Sequence, residues 1–152
     1  MRISRQHMFM QMAEAASLRS TCFRRAVGAV LVHDNNVISI GYNGPPSGEP
    51  HCTGKNCPQT SVCVRAVHAE WNALSRQRAT LYPVTMYTTE SPCLRCAQRI
   101  VDERVRAVYY QHEYRVRDGI EWLISNGVEL FRLTPSGYII NVKDGELLQR
   151  VQ

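Results

Sequence analysis

The sequence predicts an α/β protein, a three-layer α/β/α sandwich around a mixed five-stranded sheet. Three observations point there. After residue 67, helix-length amphipathic segments alternate with short strand-like runs. Before it, two strand-like runs are separated by His33 and a turn at Asp34-Asn35-Asn36, which makes them a hairpin. The 152 residues, 44% hydrophobic and 20% charged, suit a single domain over 1–152 with one core.

The elements follow in order. Ser4 is placed to cap a first helix running to about residue 19, with Met8, Met12, Ala15 and Ala16 along one stripe. Residues 27–32 and 37–42 are the hairpin strands. Residues 43–65 form a long loop rich in Gly, Pro and Cys, and such a loop needs a function or a staple. A helix is expected over 67–78 and a strand over 84–89. Pro92 ends that strand, and a helix follows over 93–103. Residues 107–111 are the next strand. Asp118 is expected to cap a helix to 125, stopped by Asn126-Gly127, and 128–132 is the fifth strand. The tail shows a weak strand at Tyr138-Ile139-Ile140 and a terminal helical turn; Phe131 and Leu133 suit either core or interface.

The net charge is +5, with a pI near 9.0, and most of the basic residues are arginine. This suits an anionic partner such as a phosphate, for which the guanidinium fork is matched. The N-terminus has no signal-peptide apolar core, and no apolar run approaches the roughly 20 residues that span a bilayer. A cytoplasmic location is expected, with no membrane partner. There disulfides are disfavoured, so six cysteines, all between Cys22 and Cys96, point to metal binding or catalysis.

Two motifs carry the chemistry: His68-Ala69-Glu70 and Pro92-Cys93-Leu94-Arg95-Cys96. Cys93 and Cys96 are one helical turn apart, so both sulfurs can face one point. The helix N-terminus favours their thiolates. His68 adds an imidazole, which completes three ligands for Zn²⁺ and leaves the fourth corner open. A water in that corner has its pKa drawn from 15.7 toward about 7, which supplies hydroxide at neutral pH. Glu70 is too close to His68 to be a comfortable fourth ligand and is suited instead to carry protons. A C-x-x-C alone would also suit a redox pair or half of a structural zinc site. Together the motifs match the H-x-E…P-C-x-x-C signature of zinc deaminases. Cys22, Cys52, Cys57 and Cys63 are enough for a second, structural Zn²⁺ that pins the long loop, and His51 could replace one of them.

With these residues in hand, the chain resembles the deoxycytidylate (dCMP) deaminase family, bacterial and phage type, within the cytidine-deaminase-like superfamily. The resemblance runs from about Thr21 to Leu130. It includes Val27-Gly28-Ala29-Val30, Gly41-Tyr42-Asn43-Gly44-Pro45-Pro46, Cys52 and the two zinc motifs. It implies hydrolytic deamination of dCMP to dUMP and ammonia, a step of nucleotide biosynthesis. It also implies that Asn43 holds the deoxyribose hydroxyl and that Tyr114 packs on the pyrimidine. Arg24 or Arg25 meets the phosphate, with Arg115 and Arg117 as further candidates. Gly41, Tyr42, Asn43 and Gly44 lie near an effector site for dCTP, an activator, and dTTP, an inhibitor, with Mg²⁺. A homo-hexamer is the assembly implied, and nucleic acid is not an expected partner. The alternatives are a deaminase of cytidine or tRNA adenosine, or a zinc-stapled nucleic-acid-binding module without catalysis.

Overall fold

The computed structural model describes residues 2–57 and 63–150. The hairpin strands β1 (Gly28–His33) and β2 (Asn36–Tyr42) pair antiparallel through a turn with Asp34 at φ 46° and Asn35 at φ 61°. Asn and Asp tolerate this left-handed geometry, which matches strand twist in a two-residue turn. The remaining strands are β3 (Thr85–Glu90), β4 (Ala107–His112), β5 (Glu129–Leu133), β6 (Tyr138–Asn141) and β7 (Leu147–Arg150). The sheet order is β2-β1-β3-β4-β5-β6-β7. Strands β3, β4 and β5 are parallel, and the flanking pairs are antiparallel.

Seven strands therefore replace the five expected. The weak strand in the tail is real. The terminal helical turn is instead β7, folded back through a turn with Gly145 at φ 74°. The hydrogen-bond demand of the open edge at β5 decides this, because an unpaired strand edge is satisfied by adding strands.

Helices cover both faces. Helix α1 (Arg5–Ser17) lies on one, while α2 (Ala69–Arg76), α3 (Leu94–Asp102) and α4 (Asp118–Ser125) lie on the other. The side-chain alternation of β1 shows the split: Val30 and Val32 meet α1, while Ala29 and Leu31 meet the other core. Ser4 caps α1 as expected, its hydroxyl accepting from the His7 N–H. The buried stripe, however, is Phe9, Met10, Ala13 and Ala16, and Met12 is 41% exposed. Close approach selects the small residues. A Cβ on Gly28 would stand 2.0 Å from the Ala13 carbonyl oxygen, so β1 and α1 touch backbone to backbone there.

On the α1 face, Tyr87, Tyr109 and Phe131 are in register across β3, β4 and β5. Their rings stack at 4.8 and 4.7 Å between centroids, and Phe9 of α1 closes the row on Tyr87 at 5.3 Å. Phe131 is thus half-buried in this row, and Leu133 is core.

A candidate metal centre at two helix N-termini

The site grows from two chain reversals beside the C-terminal end of β3, where ligands gather in sheets with parallel strands. Helix α2 starts two residues later than the sequence suggests, because Val67 is occupied elsewhere. Its N–H and C=O both bond Gly44, at 2.8 and 3.1 Å, so the chain is still extended there. His68 then becomes the N-cap residue of α2, with ψ 155°, and Glu70 falls in the first turn. Gly41 sets how close α2 sits: a Cβ there would be 2.2 Å from the Ala69 carbonyl oxygen.

The second reversal is Ser91-Pro92-Cys93. Cys93 is the N-cap of α3, with ψ 168°, and Cys96 lies one turn in. Gly119 of α4 packs onto this reversal. A Cβ at Gly119 would stand 2.1 Å from the Pro92 carbonyl oxygen and 2.8 Å from the Cys93 carbonyl carbon. Gly119→Ala must therefore push α4 off the ligand turn. We expect about 1–3 kcal/mol of lost stability, typical of overpacking, together with weaker metal retention. Thermal melts and zinc retained after dialysis check both; an unchanged melt would show that the contact relaxes freely.

The three ligand atoms meet. The Cys93 and Cys96 sulfurs lie 3.5 and 3.4 Å from His68 Nδ1. A tetrahedral zinc with bonds of about 2.0–2.1 Å to nitrogen and 2.3 Å to sulfur would put such atoms about 3.6 Å apart. The donor set and its spacing fit zinc. His68 is exposed, Cys93 half-buried and Cys96 buried, so the site opens to one side. Among the described residues this is the one cluster of three or more His, Cys, Asp or Glu ligand atoms.

Burial and mutual hydrogen bonding perturb all the groups of the cluster. Hydrogen bonding to Cys96, and next to His68, draws the Cys93 thiol down to about 4 against the opposing effect of burial. The bond to Cys93 and burial both push Cys96 up, and His68's own bond to Cys93 raises His68. Glu70 is almost fully buried, and desolvation pushes its carboxyl up to about 7, against the pull of His68.

Asn43 is buried. Its Oδ1 accepts from the Val27 N–H at 2.8 Å and the Ser20 hydroxyl at 2.7 Å, and its Nδ2 donates to the Arg25 carbonyl at 2.7 Å. Tyr114 is half-buried; its N–H donates to the Ser91 hydroxyl at 2.6 Å, and Arg115 lies over its ring. Arg24 is exposed. Arg117 pairs with Glu113 and precedes α4 as its N-cap position; Asp118, expected as the cap, is instead the first helical residue and accepts from the Gly119 N–H. Gly41 and Gly44 have packing and pairing roles, and the Tyr42 carbonyl accepts from Asn72 Nδ2 at 2.8 Å. Sequence reading missed Glu90 and Ser91. The available signal was a charged residue ending an apolar and Thr-rich strand, directly before the Ser91-Pro92-Cys93 turn.

The loop cysteines are not gathered as expected. The Cys52 N–H bonds the Thr21 carbonyl at 3.1 Å, which brings the Cys52 and Cys22 segments together. Arg65 Nη1 lies 3.6 Å from the Cys52 sulfur, and Cys57 is buried. Yet Cys22, Cys52, Cys57 and Cys63 do not bring three sulfurs within one ion's reach, with or without His51. Residues 58–62, between Cys57 and Cys63, lie outside the described residues.

Comparison with known proteins places this geometry. Residues 3–112 match the model of the cytidine and deoxycytidylate deaminase zinc-binding region. The chain is 33% identical over 155 residues to ComE operon protein 2 of Bacillus subtilis, covering 99% of this chain and 82% of that one. It is 36% identical to the deoxycytidylate deaminase of Schizosaccharomyces pombe, over 84% of this chain but only 43% of that one. A solved structure of the dCMP deaminase of cyanophage S-TIM5, in complex with dCMP and dUMP, superposes with a TM-score of 0.72 at 33% identity, over 84% of this chain and 95% of that one.

Proposed function

Because the chain belongs to the cytidine and deoxycytidylate deaminase zinc-binding family, we propose that it is a zinc-dependent hydrolase that converts dCMP and water to dUMP and ammonia. The observation that carries this is the His68–Cys93–Cys96 cluster with a buried Glu70 in the first turn beside it. The cyanophage relative, solved with dCMP and dUMP, supports the nucleotide as substrate.

A Zn²⁺ held by His68, Cys93 and Cys96 supplies the Lewis acid that makes water nucleophilic at neutral pH. Glu70 moves the protons. Its carboxyl, raised to about 7 by burial, accepts and releases a proton near neutral pH. It takes one proton from the attacking water and places it on the pyrimidine ring nitrogen. It then takes the second from the added hydroxyl and delivers it to the amine, so the C–N bond breaks, ammonia leaves and the carbonyl forms. Cys93 is the N-cap of α3, so the positive dipole end of that helix favours its thiolate, while His68 is the N-cap of α2.

Tyr114 packs on the base in this reading, and Arg24 or its neighbour meets the phosphate. Asn43 has one Nδ2–H left after its three internal bonds, and this is the group available to the sugar hydroxyl. Residues 41–44 serve dCTP or dTTP with Mg²⁺, and the chain assembles as a homo-hexamer in the cytoplasm; the family resemblance supports these finer points. No helix among the described residues is long and apolar enough to cross a membrane. A second Zn²⁺ takes ligands from Cys22, Cys52, Cys57 and Cys63, with His51 able to replace one of them. The approach of the Cys52 segment to Thr21 supports this.

The deciding assay is ammonia release from dCMP, deoxycytidine, cytidine and tRNA, with and without dCTP and Mg²⁺. We expect dCMP to be the preferred substrate. Turnover of cytidine without dCMP would sink the choice of substrate while leaving the zinc chemistry intact.

A further inference from the structure

Arg25 is held at both ends. Its carbonyl accepts from Asn43 Nδ2 at 2.7 Å, and its Nη2 lies 2.8 Å from Glu90 Oε1. Its side chain nevertheless stays 52% exposed, so other guanidinium N–H groups face solvent. The neighbouring Arg24 is exposed and makes no such contact among the described residues.

Glu90 is the unusual half of the pair. It is 8% exposed, and its Oε2 is buried with no hydrogen-bond partner among the described residues. Native structures rarely leave a buried carboxylate oxygen in this state. An ion pair with a half-exposed arginine is also a modest source of stability, because solvent screens the attraction while burial desolvates Glu90. Fold stability alone therefore gives little reason for Glu90. Its position does give one. Glu90 ends β3, and alternation from Met86 and Thr88 places it on the sheet face covered by α2 and α3. Cys93 follows three residues later, and Ser91, which holds the Tyr114 N–H, is the next residue. The Arg25–Glu90 pair thus ties the segment bonded to Asn43 to the strand end that runs through Ser91, bonded to Tyr114, into the Cys93 turn.

We propose that Glu90 is a positioning residue that holds the Arg25 guanidinium beside the metal-ligand turn as the anchor for the 5′-phosphate of the substrate. This rests on the dCMP reading above. Glu90 Oε1 fixes the fork, and the exposed N–H groups of Arg25 remain for phosphate oxygens. Glu90 touches no substrate atom in this account and acts only through Arg25.

The test uses the zinc-loaded enzyme with Glu90→Gln, Arg25→Ala and the double variant. It reads KM and kcat for dCMP, and inhibition of dCMP turnover by dUMP and by deoxyuridine. Losing one charge-assisted contact should raise the dCMP KM and the dUMP inhibition constant about ten- to hundredfold in each single variant. The kcat and the inhibition by deoxyuridine, which lacks the phosphate, should stay close to wild type. The double variant should be no worse than Arg25→Ala alone, because Glu90 works through that residue. Equal weakening of dUMP and deoxyuridine, or additive losses in the double variant, would overturn the proposal and leave a purely structural ion pair. If Glu90→Gln does not fold, Arg25→Ala decides alone, since that side chain is half-exposed; unchanged dUMP inhibition there would also overturn it. If the wild-type enzyme deaminates no dCMP, the functional reading has failed and this proposal falls with it. If it does, and the variants leave phosphate discrimination intact, only this proposal fails.

Discussion

Replacing Glu70 with Gln should lower kcat on dCMP by about 10²–10⁴-fold, the usual range for removing a positioned proton carrier. The substitution keeps the shape of the side chain, so it leaves no cavity beside Ala69, Ala73 and Leu74, which pack the same helix. It removes the ability to take a proton and give it back, and nothing else about the ligand cluster changes. Zinc content and the far-UV spectrum should therefore match wild type. A rate within about tenfold of wild type would remove Glu70 from the proton path, since a tenfold change corresponds to only about 1.4 kcal/mol of barrier. Loss of zinc together with the rate would mean instead that Glu70 shapes the ligand cluster.

The second large effect is expected for Cys96→Ala. Cys96 is the buried member of the trio and lies 3.4 Å from His68 Nδ1. Without its sulfur only one imidazole and one thiolate remain, too few to hold zinc in a catalytic geometry. Affinity should fall well beyond the 10–100-fold that loss of an outer-shell partner causes, and turnover should vanish with it. Because bound metal stabilises the folded chain by mass action, melting should also move down. The loss is about 4 kcal/mol where free zinc stands at 1,000 times its dissociation constant. A chelator added to wild type should reproduce both losses. Metal analysis of the same pair of proteins also reads the loop cysteines. Two zinc ions in wild type falling to one supports the second site, and one falling to none removes it. A variant that keeps its full zinc content would refute the assignment of Cys96 as a ligand.

Much of this site was legible before any coordinates, because its chemistry is written in short-range spacing. Cys93 and Cys96 share a helix face at one turn's separation, and His68 and Glu70 begin another helix. The hairpin was legible for the same reason, since Asp34 and Asn35 suit left-handed backbone. Helix boundaries were less so. The start of α2 moved to Ala69 because Val67 pairs with Gly44, a partner 23 residues away. The stripe of α1 was misjudged because composition cannot say which side of a helix meets a glycine on a distant strand. In the tail the weak strand at Tyr138-Ile139-Ile140 holds as β6, and only the terminal helical turn gives way to β7, because its ladder partner is itself weakly patterned.

The order of residues alone predicted the class of fold, named His68, Cys93 and Cys96 as a metal cluster and singled out Glu70 as the proposed proton carrier, because each motif is a short, local pattern. Only the folded chain decided that seven strands, not five, form the sheet. It also put Gly41 and Gly119 under the two ligand turns, and it left the loop cysteines apart while joining Arg25 to Glu90 across 65 positions. Those outcomes depend on which surfaces can approach and which polar groups find partners. Such long-range packing is a property of the whole compact state, and no local pattern encodes it.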